Sequence, residues 1–167
     1  CDRCISISQD GESLLIHANK KGEEKAAKGW MAPMRIIHIN SSEVAETLVL
    51  PDIKQFHPDN TIPGNYGIYG ADFSPDGETI VFSGFLKLQD LKGNWLSDSH
   101  YSIYVFNLLT KQVKKIIDTD SYFGEGPGIS PDGQTIAFCT GSSYSCNKIW
   151  MANIDGSSLK EIDVKLK

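Results

Sequence analysis

The sequence predicts an all-β fold in which one unit of four short antiparallel strands is repeated three times. Three observations predict it. An Asp-Gly turn recurs at Asp10-Gly11, Asp76-Gly77 and Asp132-Gly133, each time leading into an apolar run, SLLIHA, TIVFSG or TIAFCT. A second run follows each of these and ends in asparagine, as MRIIHIN (34–40), YSIYVFN (101–107) and NKIWMAN (147–153). Helical periodicity appears nowhere at useful length, so no helix competes for these segments.

Within the unit the elements follow in order. The first strand precedes the turn, as CISIS, GADFS and GPGIS, and its small residues Ser6, Ala71, Gly126 and Gly128 suit a crowded position. The turn is Ser-Pro-Asp-Gly in the second and third copies. Proline presets φ for the second position, Asp suits the third, and Gly tolerates a positive φ at the exit. Gln9 replaces the proline in the first copy, which predicts a looser turn there. The second strand is apolar, partly β-branched and bounded by turn signals. In the third strand, alignment on the asparagines matches Ile36, Ile103 and Ile149, with the bulky Ile37, Tyr104 and Trp150 beside them. The fourth strand is AETLVL, QVKKII or SLKEID, with Val49, Ile116 and Ile162 each nine residues beyond the aligned asparagine.

A four-stranded sheet repeated in tandem is the unit of a β-propeller, whose innermost strands crowd a central axis. The expected blades are about 4–50, 68–117 and 126–163 of a single segment, 1–167. Propellers close with about four to eight blades, and an open arc leaves strand edges and apolar blade faces in water. Three blades therefore predict either a partial propeller continued outside this segment or one half of a six-bladed ring formed by two copies. The chain starts at Cys1 with no initiator Met and no leader, which reads as a processed or excised piece.

The repeated motif carries a family resemblance. SPDGETIVFSG with SIYVFNLLTKQVKKI, and SPDGQTIAFCTG with KIWMANIDGSSLKEI, resemble the repeats of TolB-type propellers. Similar repeats occur in tricorn-like and prolyl-oligopeptidase-like peptidases. The resemblance covers nearly the whole chain and is weakest at the first turn. It implies a non-catalytic, periplasmic or otherwise extracytoplasmic segment that recognises a protein or a small ligand. The alternative it implies is the substrate-gating propeller of a larger serine peptidase, with a separate α/β-hydrolase domain. A sugar-binding propeller is a third expectation.

Composition agrees with a globular domain: 40% hydrophobic, 22% charged. A net charge of -5 and a pI near 5.3 argue against nucleic acid, which needs a clustered basic surface. KKGEEKAAK (20–28) is interrupted by two glutamates and reads as a solvated loop. No apolar run is long enough to span a bilayer as a helix.

The long segments all fall on one face of the expected blades. They are the insertions at 18–33 and 84–100 and the connections at 51–68 and 118–127. They carry Trp30, Tyr66, Trp95, Tyr122 and Phe123, and loop aromatics are favoured anchors at interfaces. This face is the expected partner-binding surface.

Catalysis finds little support, because no G-x-S-x-G elbow is present and none of the four histidines sits in a recognisable nucleophile arrangement. His17 and His38 read as strand residues, and His57 and His100 as loop residues. DTDSYFGE (118–125) lacks the ligands and spacing of a calcium loop, and Cys1 and Cys4 lack the second ligand pair of a zinc site. No metal or cofactor is expected. Cys139 and Cys146 bracket TGSSYS, a plausible hairpin loop, and are disulfide candidates, the alternative being two half-buried thiols. Cys1 followed by Asp2 invites the reading of a lipidated terminus, though no lipobox precedes it.

Overall fold

The computed structural model describes residues 3–17, 34–41, 44–48, 61–119, 122–123, 126–142 and 145–163. Among them there is no helix, and the strands build three antiparallel sheets. The first sheet contains β1 (Arg3–Ile7), β2 (Ser13–His17), β3 (Met34–His38) and β4 (Val44–Leu48) in chain order. The second contains β5 (Thr61–Phe73), β6 (Thr79–Asp90), β7 (Trp95–Asn107) and β8 (Val113–Thr119). In the third, β10 (Gly128–Ile129), β11 (Thr135–Ser142), β12 (Ser145–Asn153) and β13 (Lys160–Ile162) form the path, and β9 (Tyr122–Phe123) also pairs with β11.

The three turns share one hydrogen-bond pattern. Ser8, Ser74 and Ser130 each donate their hydroxyl to the carboxylate of Asp10, Asp76 and Asp132. The same hydroxyls accept the N–H of Ser13, Thr79 and Thr135 at 2.9, 2.9 and 3.0 Å. The glycines take the left-handed conformation, with φ of 73° at Gly11, 73° at Gly77 and 71° at Gly133. Gln9 therefore does not loosen the first turn. Proline presets one φ, whereas Ser, Asp and Gly carry every bond that defines the loop.

The asparagine alignment needs one correction. Ser13 pairs with His38, as Thr79 pairs with Asn107 and Thr135 with Asn153. His38 thus stands where the other sheets have asparagine, and Met34, not Ile36, corresponds to Ile103 and Ile149. Asn107 earns its place locally, since its Oδ1 accepts the N–H groups of Leu109 and Thr110. No asparagine is needed in the first sheet, where Ser13 Oγ lies 3.3 Å from His38 Nδ1.

The core lies between the sheets. Along β6, Ile80 and Phe82 pack with Leu15, Met34 and Ile36 of the first sheet. Val81 points the other way, into a cluster with Ile136, Phe138 and Ala152 of the third. On β7, Tyr104 and Phe106 join the first cluster and Ile103 the second. The middle sheet is thus buried on both faces. In β11 the two faces differ: Ile136 and Phe138 are buried, and Ala137 between them is exposed.

The innermost strands are tied by one carboxylate. Asp72 accepts the Ser6 hydroxyl at 2.6 Å through Oδ1 and the Ile129 N–H at 3.2 Å through Oδ2. One side chain on β5 therefore links all three sheets near their inner edges.

The second sheet is larger than expected. Pro63, Gly64 and Gly67 read as a connection, yet β5 starts at Thr61. Register shifts at Pro63/Asn65 and Ile68/Gly70 pass over Gly64 and Tyr69, as bulges do, while Pro63 and Gly67 stay in register with Leu88 and Phe85. The expected insertion at 84–100 is a hairpin, in which β6 runs on to Asp90 and β7 starts at Trp95. His100 is therefore a strand residue and not a loop residue, while His17 and His38 lie in strands as expected. Cys1, Trp30, His57 and the insertion at 18–33 lie outside the described residues.

Candidate functional site

The feature that sets the middle sheet apart is a three-stranded ribbon. The first part of β5, the end of β6 and the start of β7 continue pairing, through Thr61↔Asp90 and Gln89↔Trp95, beyond the residues of the two apolar clusters. Six further residues along a strand add about 20 Å, and β6 at 12 residues is longer than β2 at 5 and β11 at 8. The ribbon lies at the β6–β7 end, opposite the Ser-Pro-Asp-Gly turns.

Its tip is held rigidly. The Asp90 carboxylate accepts the N–H of Lys92 at 2.8 Å, the N–H of Asn94 at 2.9 Å and the Asn94 side-chain amide at 2.9 Å. The Asn94 amide and backbone bonds hold the Asp90 carboxyl below the usual carboxylate range. Gly93 supplies the positive φ of 86° that the turn requires. On this tip Leu91 is 68% exposed and Leu96 stands at 36%. A fixed backbone carrying an exposed leucine loses little entropy on docking.

Two of the expected anchors fall on this ribbon. Tyr66 is in register with Leu86, itself paired to His100, and Trp95 is in register with Gln89, itself paired to Ile62. Both are strand positions and not loop positions, because pairing with β6 extends across the turn-prone residues of β5. Tyr122 and Phe123 are likewise strand residues: Phe123 pairs with Thr140 and Tyr122 with Gly141. These pairs bring them to the matching end of the third sheet, beside the β11–β12 hairpin. Trp30 lies outside the described residues, and the other four aromatic residues lie in strands at this end of their sheets.

The β11–β12 hairpin carries a disulfide between Cys139 and Cys146, whose Cα atoms are 5.6 Å apart. Close by, Trp150 donates Nε1–H to Thr140 Oγ1 at 2.9 Å, and Lys148 sits 5.6 Å from the Trp150 ring centroid. Asp118 accepts the Ser102 hydroxyl and the Lys115 ammonium, so this carboxylate is engaged within its own sheet. Among the described residues no three His, Cys, Asp or Glu side chains are grouped to hold a metal ion. No helix among the described residues is long and apolar enough to cross a membrane.

Sequence reasoning missed Asp90, Leu91 and Leu96. The signal was present in QDLKGNW, where Asp with a following Gly-Asn marks a hairpin turn.

No family model and no curated protein matches the sequence. Solved structures do. A TolB-type protein from Agrobacterium tumefaciens is similar over 96% of this chain and 48% of its own, with 16% identity and a TM-score of 0.61. An oligogalacturonate lyase from Vibrio parahaemolyticus matches over 92% of this chain and 38% of its own, with 14% identity and a TM-score of 0.56. An acylaminoacyl peptidase matches over 99% of this chain and 25% of its own, with 10% identity and a TM-score of 0.57. Identities this low speak for the fold, which is β-propeller-like, and the three sheets are blade-like units. The chain spans about half the length of the TolB-type structure and less of the other two.

Proposed function

We propose that this chain is a non-catalytic propeller segment that recognises a protein partner through the β5–β6–β7 ribbon and the neighbouring end of the third blade. The observation that carries the reading is the rigid tip at Asp90–Asn94, which presents an exposed leucine on a turn fixed by its own hydrogen bonds. Trp95 and Tyr66 on the ribbon and Tyr122 and Phe123 beside it are the proposed anchors, and aromatic residues are enriched among such anchors. Fold likeness to a TolB-type protein supports the recognition role. The Cys139–Cys146 disulfide supports an oxidising, extracytoplasmic compartment.

The test is site-specific photo-crosslinking in the source cells. A photoreactive residue at Trp95 or Leu91 should give discrete protein adducts, and one at Gln134 on the opposite end should not. Equal labelling at both ends, or none at either, refutes the ribbon as the recognition surface. A glycan panel that binds wild type but not Trp95→Ala would move the reading to carbohydrate.

The likeness to the acylaminoacyl peptidase, which this chain matches over a quarter of that protein's length, supports a second reading. In it, the segment gates access to a hydrolase domain encoded elsewhere in the same protein. Sequencing the flanking coding region separates the two, because only the second requires a nucleophile elbow there.

A further inference from the structure

The β11–β12 hairpin is interrupted near its end, and a covalent bond spans the interruption. Pairing runs from Thr135↔Asn153 to Thr140↔Lys148, passes over Asn147, and resumes at Gly141↔Cys146 and Ser142↔Ser145. Asn147 is therefore a bulge, and beyond it two pairs among the described residues hold the hairpin end. The Cys139–Cys146 disulfide ties the strand beyond the bulge back to the regular part of the sheet. The second blade shows the contrast. Ser83, paired with Ile103, stands where the third blade has Cys139 paired with Ile149. From there its hairpin continues in unbroken register through Phe85↔Tyr101, Leu86↔His100 and Lys87↔Ser99. Ladder bonds thus run on in the second blade where the third has a cross-link.

The interruption lies where β9 docks. Phe123 pairs with Thr140 and Tyr122 with Gly141, one pair on either side of the register shift. Thr140 is anchored independently of the disulfide. It is buried, its Oγ1 accepts Trp150 Nε1–H at 2.9 Å, and its cross-strand neighbour Lys148 is bonded to Glu161 at 2.9 Å. Gly141 has no side chain to anchor it, so its place in line with Thr140 rests on the two outer pairs and the disulfide. Among the described residues β9 pairs with β11 alone. A two-residue strand that loses one of its two pairs is released by local fluctuation.

We infer that the Cys139–Cys146 disulfide is a redox-sensitive clamp on β9, which a dithiol reductant opens to release Tyr122 and Phe123 from the third blade. The bond is placed for attack: Cys146 is exposed and Cys139 half-buried, and exposed disulfides are the labile, regulatory ones. A thiolate of the reductant attacks the Cys146 sulfur, and Cys139 leaves as a thiolate that takes up a proton. The second thiol of the reductant then attacks the reductant sulfur of the mixed disulfide. This closes the reductant's own disulfide and frees Cys146 as a second thiol. Two electrons and two protons pass from reductant to protein. Tyr122 and Phe123 are proposed anchors, so reduction should also weaken the third-blade part of the recognition surface. That consequence rests on the proposed function, whereas the clamp itself does not.

The test is hydrogen exchange of the free 167-residue chain, oxidised and after dithiothreitol without denaturant, with thiol content read by alkylation and mass. Reduction should speed exchange around Tyr122–Phe123 and Gly141–Ser142 at least about 10-fold and leave Ile136–Phe138 unchanged. Cys139→Ala/Cys146→Ala should match the reduced pattern without reductant and should not respond to it; the reduced wild type serves alone if that variant unfolds. Equal exchange of β9 in the two oxidation states overturns the inference, as does a disulfide that resists dithiothreitol in the folded chain. Uniform acceleration from β10 to β13 overturns it too, because the cross-link would then brace the whole blade. The exchange is read without any partner, so it decides the clamp even where photo-crosslinking refutes the recognition surface.

Discussion

Two glycines of the third blade, two residues apart, should respond oppositely to a methyl group. A Cβ built on Gly126 lies 2.6 Å from both the Cα and the carbonyl carbon of Gly70, and 3.0 Å from the Ala71 nitrogen. A Cβ on Gly128 meets nothing within 4 Å. Neither glycine has a positive φ, so alanine is conformationally allowed at both. The benefit of a stiffer unfolded chain, about 0.4–1 kcal/mol, is therefore common to the two substitutions. Gly126→Ala must in addition push two main-chain segments apart by roughly 0.8 Å, and overpacking of this kind costs about 1–3 kcal/mol. Gly128→Ala should be neutral or slightly stabilising, and the gap between the variants should equal the overlap cost, about 1–3 kcal/mol. Urea unfolding followed by tryptophan fluorescence measures it, with the midpoint moving and the slope unchanged. Equal stability of the two variants, within about 0.5 kcal/mol, would refute the close approach of the inner strands at Gly70.

Asp72→Ala removes the acceptor for Ser6 Oγ and Ile129 N–H and should cost about 1–3 kcal/mol; an unchanged urea midpoint would show that the stitch is ornamental. Asp10, Asp76 and Asp132 are each held below the ordinary carboxylate value of 3.8, mainly by the serine hydroxyl two residues earlier. Because the folded-state values are depressed, their contribution is complete above that value and lost as pH falls through the folded pKa. The urea midpoint should thus fall below about pH 4, and less steeply when all three are asparagine; identical pH profiles would contradict this. The Cys139–Cys146 disulfide closes a short loop, at a sequence separation of 7, and chain entropy puts its contribution at about 2–3 kcal/mol. Cys139→Ala/Cys146→Ala should lower the melting temperature accordingly, and dithiothreitol should have no further effect on that variant.

The repeat was legible because its turns are chemical objects. Ser, Asp and Gly at fixed offsets can make one loop only, and an apolar β-branched run after it has one sensible fate. The same reasoning failed where local residues and tertiary pairing disagree. Pro63, Gly64 and Gly67 argue against a strand, but β6 offers thirteen-residue β5 a partner along its length, with bulges taking up the mismatch. Tyr66 and Trp95 were consequently found as aromatic residues of one end but misplaced in loops. The two-residue offset of the third strand in the first blade has a simpler origin. Asn40 resembles Asn107 and Asn153 in type, yet only backbone pairing defines the register, and it selects His38. The opposed fates of Gly126 and Gly128 were invisible, since smallness alone does not tell which residue another main chain approaches.

The double burial of β6 bears on the order in which amide protons exchange with solvent. Ile80, Val81 and Phe82 are covered from both sides, so opening either neighbour still leaves one face protected. Their amides should exchange only when the whole stack opens, whereas β4 and β13, which among the described residues border a single partner strand, can be released by local fluctuation. In a repeat stack, where stability is a sum of units and their junctions, the second blade therefore belongs to two cooperative units at once. It is the last part of this molecule to forget its structure.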